Sequence, residues 1–225
     1  MQPRIHSTPP DAVTETARDE VAIDNYLFRI DHPADPDKLF DHPAVRSAYA
    51  ADEFIPYWAT LWPAAKLLAA AVVREPWAAD AGPVLEVGCG LGLAGVAALA
   101  RGLRVTFSDI DETALLFAEA NARLNGFDRG FRCLPLDFRS PPTDRQYRVV
   151  LGSDLIYEDR LVNPLIDFLD AVLDPAGVCL ITDPDRLASR RFRWTLGEAG
   201  FDVDPSPLTV GEAKGTLYRI RFADR

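Results

Sequence analysis

One stretch limits what this chain can fold into more than any other: Val84-Leu85-Glu86-Val87-Gly88-Cys89-Gly90-Leu91-Gly92-Leu93-Ala94-Gly95. Residues 84–87 form a short, mostly apolar run with valine at both ends, the composition of a buried strand. Residues 93–100 are rich in alanine and leucine and read as a helix. Between them stand Gly88, Gly90 and Gly92. Glycines there let the backbone turn sharply and approach a ligand with no Cβ in the way. The helix that follows aims its first amide groups at whatever the loop holds. Strand, glycine turn and helix in this order open an α/β nucleotide-binding sheet.

The rest of the chain continues the alternation. Strand-like runs lie at 104–107, 131–136, 148–151 and 178–182, and helical runs at 112–124, 161–173 and 187–198. Asn125-Gly126, Asp174-Pro175-Ala176-Gly177 and Gly200 are the expected helix stops. Residues 201–203 and 216–222 add two strands, and the last alternates strictly, which suits an antiparallel edge. The pattern predicts an α/β fold, a Rossmann-like seven-stranded, mostly parallel sheet with helices on both faces and an antiparallel last strand. A short N-terminal extension precedes it. Residues 1–18 are polar and read as a disordered tail. Residues 19–62 read as the extension, with a hairpin about Asp24-Asn25, an irregular Pro/Asp segment over 31–37 and an aromatic segment over 54–62. Pro63 then opens a helix over 64–73, and 63–225 is the ligand-binding domain.

Composition narrows the partners. At 225 residues and 48% hydrophobic, the chain can build one core of its own. A net charge of -10 opposes a phosphate backbone and favours a basic partner, so no nucleic acid is expected. No apolar run approaches a bilayer span and residues 1–20 hold no signal-peptide core, so no membrane is expected. Cys89, Cys133 and Cys179 are scattered, with no CxxC or Cys/His cluster. That predicts no metal site, and reduced thiols fit a cytoplasmic protein.

Ligands of an open α/β sheet sit at the carboxyl ends of the strands. At the first, two glycine frames compete. Gly90-Leu91-Gly92-Leu93-Ala94-Gly95 spells the dinucleotide pattern but begins three residues after Val87. Glu86-x-Gly88-x-Gly90-x-Gly92 begins at the strand end and carries an acid that suits a cationic ligand such as the methionine part of S-adenosylmethionine. The glycines alone leave NAD and S-adenosylmethionine both open. Asp109 ends the second strand, roughly 20 residues after the loop, where a carboxylate accepts from both ribose hydroxyls. Asp111 is the better N-cap of the next helix. The third strand ends in Leu136-Asp137-Phe138, offering an acceptor for an adenine amino group and a ring to pack on the base; an ordinary loop aspartate is the alternative. The fourth ends in Ser153-Asp154-Leu155-Ile156-Tyr157, where Asp154 and Tyr157 face the transferable group unless Asp154 caps the following helix.

Together these motifs resemble the seven-strand protein lysine methyltransferases of methyltransferase family 16. The resemblance spans roughly residues 20–222. Pro56-Tyr57-Trp58-Ala59-Thr60-Leu61-Trp62-Pro63 and Asp183-Pro184-Asp185-Arg186 are most similar to the electron-transfer-flavoprotein β-subunit lysine methyltransferase branch. That branch carries two glycines after its Trp-Pro, where this chain has Ala64-Ala65. The resemblance implies S-adenosyl-L-methionine as cofactor and S-adenosyl-L-homocysteine as product. It assigns cofactor binding to Trp62, Glu86, Gly88, Gly90, Gly92, Asp109, Ile110, Asp137, Phe138 and Ser153, catalysis to Asp154 and Tyr157, and the substrate entrance to Trp58 and Arg186. Trp58 and Trp62, four apart, equally suit a hydrophobic core stripe.

The implied substrate is a protein with an exposed lysine, the electron-transfer-flavoprotein β subunit among the candidates, and a monomer is expected. The rival readings are a small-molecule N- or O-methyltransferase, an NAD-dependent dehydrogenase, and a non-catalytic S-adenosylmethionine-binding adaptor. No histidine is an expected base, because His6, His32 and His42 all precede the domain core.

Overall fold

The computed structural model describes residues 5–78, 80–141 and 145–223. Strands β1 (Thr16–Ile23) and β2 (Tyr26–Pro33) form an antiparallel hairpin, followed by helix α1 (Pro43–Asp52) and helix α2 (Pro63–Arg74). Then come β3 (Pro83–Val87), α3 (Leu93–Ala100), β4 (Arg104–Asp109), α4 (Glu112–Leu124) and β5 (Phe131–Pro135). The second half runs β6 (Tyr147–Ser153), α5 (Val162–Val172), β7 (Leu173–Asp183), α6 (Leu187–Glu198), β8 (Phe201–Val210) and β9 (Ala213–Phe222).

The large sheet has seven strands in the order β5-β4-β3-β6-β7-β9-β8. Its first five strands are parallel, and β9 runs antiparallel to both β7 and β8. The chain winds outward from β3 to β5, then returns to lay β6 on the other side of β3. That reversal is the crevice where such sheets bind ligands.

Side-chain alternation along the strands builds a core on each face. Val84, Val149 and Leu151 join α2, α3 and α4 on one side; Leu85, Val87 and Val150 join α5 and α6 on the other. The β1–β2 hairpin packs on the first face through Val21, Ile23, Phe28 and Ile30.

Four expectations needed correction. The tail expected to be disordered is docked from Ile5 onward: His6 forms a parallel bridge with Asp111, and β1 already starts at Thr16. Its anchors are mostly backbone and polar bonds, with Ala12 in the core and the His6 ring on Phe54 as isolated contacts, so no apolar periodicity announced them; residues 1–4 lie outside the described residues. The segment after the hairpin is extended as far as Pro33 rather than irregular from 31. The strand expected at 178–182 begins already at Leu173, so Asp174–Gly177, which follow the end of α5 as expected, belong to β7, where the register with β6 shifts between Tyr147 and Val149 and the surplus residues form a bulge. β9 is not the edge. β8 runs ten residues outside it. Pro205 and Pro207 hid that length, yet an edge strand has a solvent side where a missing N–H costs nothing.

Candidate active site

The glycine loop is built by backbone conformation. Gly88, Gly90 and Gly92 have φ of 58°, 50° and 79°, where L side chains are strained. A Cβ on Gly88 would lie 2.7 Å from Leu155 Cδ2, and one on Gly92 2.8 Å from Ala118 Cβ. Gly90 N–H donates to Asp109 Oδ2 at 2.9 Å, and Asp109 Oδ1 accepts from Asp111 N–H at 3.0 Å. Burial raises the Asp109 carboxyl to about 6. It is the loop's own anchor, and each of its oxygens keeps lone-pair capacity for a hydroxyl donor.

Glu86 departs from the expectation. Its carboxylate turns under α3 and accepts from Gly95 N–H at 2.9 Å instead of lining the cavity. Burial raises it to about 8. Gly95 is required by this packing, because a Cβ there would sit 2.2 Å from Phe107 Cε1 and 2.5 Å from Glu86 Oε2. The acid at the strand end therefore supports the loop from beneath.

Asp111 is the N-cap of α4, as the sequence predicts, accepting from Thr113 N–H at 2.8 Å. It is also a fully buried hub. Thr8 donates to it through both its amide and its hydroxyl, and Trp58 Nε1 donates to Oδ2 at 2.9 Å. Trp58 packs on Phe117 at 5.2 Å and is buried. It forms cavity wall, but its indole N–H is committed to Asp111, so it pins the aromatic segment over the loop rather than shaping an entrance. The core-stripe alternative describes it better.

At one end of the site, after β5, Asp137 is buried and forked by Arg139, with Nε to Oδ1 at 2.8 Å and Nη2 to Oδ2 at 3.0 Å. Phe138 lies beside it, edge-on to Phe168 at 6.4 Å.

At the other end, Asp154 adopts φ 55° and does not cap α5, whose N-cap is Leu161. Arg186 forks its carboxylate, with Nε to Oδ1 at 2.7 Å and Nη2 to Oδ2 at 2.9 Å. Arg186 is held in turn by the buried Asp183, whose Oδ1 accepts from Arg186 N–H at 2.8 Å and from the Ser189 hydroxyl. Asp183 Oδ2 is buried with no hydrogen-bond partner among the described residues, and burial raises this carboxyl. Tyr157 meets Tyr57 edge-on at 5.4 Å, and Tyr57 meets Trp62 at 6.1 Å. Trp62 Nε1 donates to Tyr57 O at 2.8 Å, which locks this aromatic rim. Desolvation and the adjacent Glu158 push the Tyr157 phenol up to about 12.

A single cavity of about 690 Å³ joins both ends, within the range of small-molecule sites. Every sequence-predicted site residue except Glu86 lines it, including Ile110 and Ser153. Several wall residues carried no signal in the sequence. His6 stacks on Phe54 at 4.0 Å and lines the cavity although it lies far outside the domain core in sequence. Tyr57 and Arg139 also line it. Asp183 did carry a signal: it is an acid at a strand end, like Asp109 and Asp154.

Sheet order, switch-point cavity and strand-end acids define the class I type of α/β cofactor-binding fold. Residues 58–192 match the sequence model of the family described as lysine methyltransferase, and the chain belongs to that family. It is 32% identical over 133 residues to the electron transfer flavoprotein beta subunit lysine methyltransferase of Danio rerio, covering 58% of this chain and 51% of that protein. It is 34% identical over 134 residues to the ribosomal protein L11 methyltransferase of Prochlorococcus marinus, covering 59% and 40%. The chain thus spans about half the length of the curated relatives it matches. Among solved structures, a ribosomal protein L11 methylase from Lactobacillus delbrueckii subsp. bulgaricus shares the fold, with a TM-score of 0.58, 23% identity, and coverage of 70% of this chain and 77% of that one.

Proposed function

We propose that the chain is an S-adenosylmethionine-dependent methyltransferase that methylates lysine side chains of a protein, with the electron-transfer-flavoprotein β subunit as first candidate. The observation that carries this reading is one cavity with a nucleoside-type end at Asp109 and a cation-binding carboxylate, Asp154, at the other. The residues present fit the cofactor: a Cβ-free loop at the strand ends, a carboxylate for the ribose and Asp137 with Phe138 for the base. Relatives named for a protein methyl acceptor support the substrate class. A monomer acting in the cytoplasm belongs to the same reading.

The bound sulfonium supplies an electrophilic methyl group. What the chain adds is alignment, which accounts for most of the acceleration available to an in-line displacement. A lysine reaches the site as an ammonium, with an ordinary pKa of about 10.4. Asp154 receives it and orients the nitrogen. Tyr157, with its phenol near 12, stays protonated at neutral pH. It narrows the channel and offers an oxygen lone pair to the amine, and it is not the base. Water at the open mouth takes the proton.

The test incubates the protein with S-adenosylmethionine and purified flavoprotein β subunit or ribosomal protein L11, and reads methylated lysine by mass spectrometry. Methyl-lysine on either supports protein methylation and identifies the acceptor. Tight binding of S-adenosylhomocysteine with transfer only to small molecules, or with no transfer to any acceptor in a cell lysate, overturns it.

A further inference from the structure

Helix α6 has an outward face unlike the rest of this acidic molecule. Its inner face is ordinary: Ala188, Phe192 and Leu196 are buried against the sheet. Leu187, Arg190, Arg191 and Trp194 fall at i, i+3, i+4 and i+7, on one side of the helix. All four are exposed. Leu187 is 87% and Trp194 67% exposed, more than any other large hydrophobic residue described. From Arg186 to Gly197 the sequence carries Arg186, Arg190, Arg191 and Arg193 with no acid, in a chain of net charge -10. Among the described residues Arg190, Arg191 and Arg193 make no ion pair; Arg191 reaches only the carbonyl of Asp159, at 3.5 Å. The neighbouring α5 exposes Asn163, Asp167 and Asp170, so the sign of the surface reverses from one helix to the next.

This face is continuous with the site. Arg186, which forks Asp154 inside the cavity, immediately precedes Leu187. At about 1.5 Å per residue the helix carries the basic, apolar strip roughly 12 Å from the mouth to Trp194. Of the residues lining the cavity, Glu53 and Glu158 share the single guanidinium of Arg160, which leaves one negative charge in excess there. A negative mouth beside a positive strip with an exposed tryptophan complements a lysine followed by acidic residues and an apolar side chain. A uniformly anionic strand such as RNA would meet repulsion at the mouth.

Resting on the protein-substrate reading above, we infer that the exposed face of α6 is the docking surface for the substrate, gripping an acidic flank with an apolar side chain next to the target lysine. Trp194 supplies the apolar anchor for whichever apolar side chain the flank carries, leucine standing in for it in the test peptides, and tryptophan is a residue type that dominates binding energy where it becomes buried. Arg190 and Arg191 select the charge of the flank and speed encounter.

The experiment uses fluorescein-labelled synthetic peptides: a lysine followed by glutamates and a leucine, and the same peptide with arginines replacing the glutamates. Anisotropy is read with S-adenosylhomocysteine present, at low and high salt. The acidic peptide is expected to bind more tightly, and more weakly as salt rises. The double variant R190E/R191E is expected to weaken it about tenfold and to prefer the arginine peptide, with cofactor affinity unchanged. Trp194→Ala is expected to weaken both peptides. Equal binding of the two peptides by the native protein, or an unchanged affinity in R190E/R191E, overturns the inference. So does an RNA oligonucleotide that binds more tightly than the acidic peptide and is lost in the same variant. Binding is read without chemistry: a peptide that docks charge-selectively but is never methylated sustains the docking face while refuting lysine methylation. One methylated equally well whatever its flank does the reverse.

Discussion

Arg186 closes on both carboxylate oxygens of Asp154, at 2.7 and 2.9 Å, from the loop after the neighbouring strand. The pair bridges the ends of β6 and β7 at the cavity, where the proposed reading brings in the acceptor. A lysine ammonium that reaches Asp154 has to share or displace a guanidinium already there. Asp154 sits at φ 55°, a region asparagine also tolerates. Asp154→Asn therefore keeps the backbone and removes the charge. Methyl transfer should fall about 100-fold or more, while calorimetric affinity for S-adenosylhomocysteine stays within about twofold. Full activity of the variant would remove Asp154 from the chemistry.

Glu86 gives a stability signature. Its folded value is about 8, against about 4.3 in an unfolded chain. Below pH 4 both states hold the proton. Between roughly pH 4 and 8 the unfolded chain releases it and the folded protein does not, so stability drains across that window and levels off above it. The gap corresponds to about 5 kcal/mol. Glu86→Gln keeps an oxygen for Gly95 N–H and cannot ionise. Its melting temperature should match the native protein near pH 4.5 and exceed it increasingly up to pH 8.5. A pH-independent difference between the two would be the contrary result.

Asp109 titrates lower, near 6, and its ionised form is the better acceptor for ribose hydroxyls. Binding of S-adenosylhomocysteine should weaken as pH falls through 6, by roughly tenfold at pH 5 if only the carboxylate binds. The isosteric Asp109→Asn variant should bind weakly at every pH with a flat profile. A steep profile retained by the variant would assign the titration to another group.

Trp58 tests the docked N-terminal segment. Trp58→Phe removes the donor to Asp111 and leaves most of the ring contact with Phe117. Removing a hydrogen bond to a buried charged group costs about 1–3 kcal/mol, read as a lowered denaturant midpoint with an unchanged slope. If the segment were loosely held, the midpoint would not move.

The strands and helices between Pro83 and Glu198 were legible because buried parallel strands and amphipathic helices write themselves as apolar periodicity. The strand-end acids Asp109, Asp137 and Asp154 were legible because the open sheet dictates where a ligand can sit. Glu86 was misplaced because alternation along a strand says which face a side chain takes but not that α3 would supply it an amide. His6 and Thr8 were invisible for a different reason: their partners, Asp111, Thr113, Trp58 and Phe54, are single residues far along the chain, which leave no pattern in composition. β8 was read only as 201–203 although it runs to Val210, because Pro205 and Pro207 interrupt its pattern while an edge strand tolerates them.

Thr8 and Asp111 are 103 positions apart in the chain. At a synthesis rate of about 5–20 residues per second, roughly 5–20 seconds separate their emergence from the ribosome. Throughout that interval Phe54 and Trp58 are the partners within reach, and the carboxylate that takes the Thr8 amide and hydroxyl is missing, so the wall this segment contributes to the cavity is not yet fixed. The half-made protein is thus kept from assembling a complete site until β4 and the start of α4 have left the exit tunnel, so this stretch of chain is translated early and folds late.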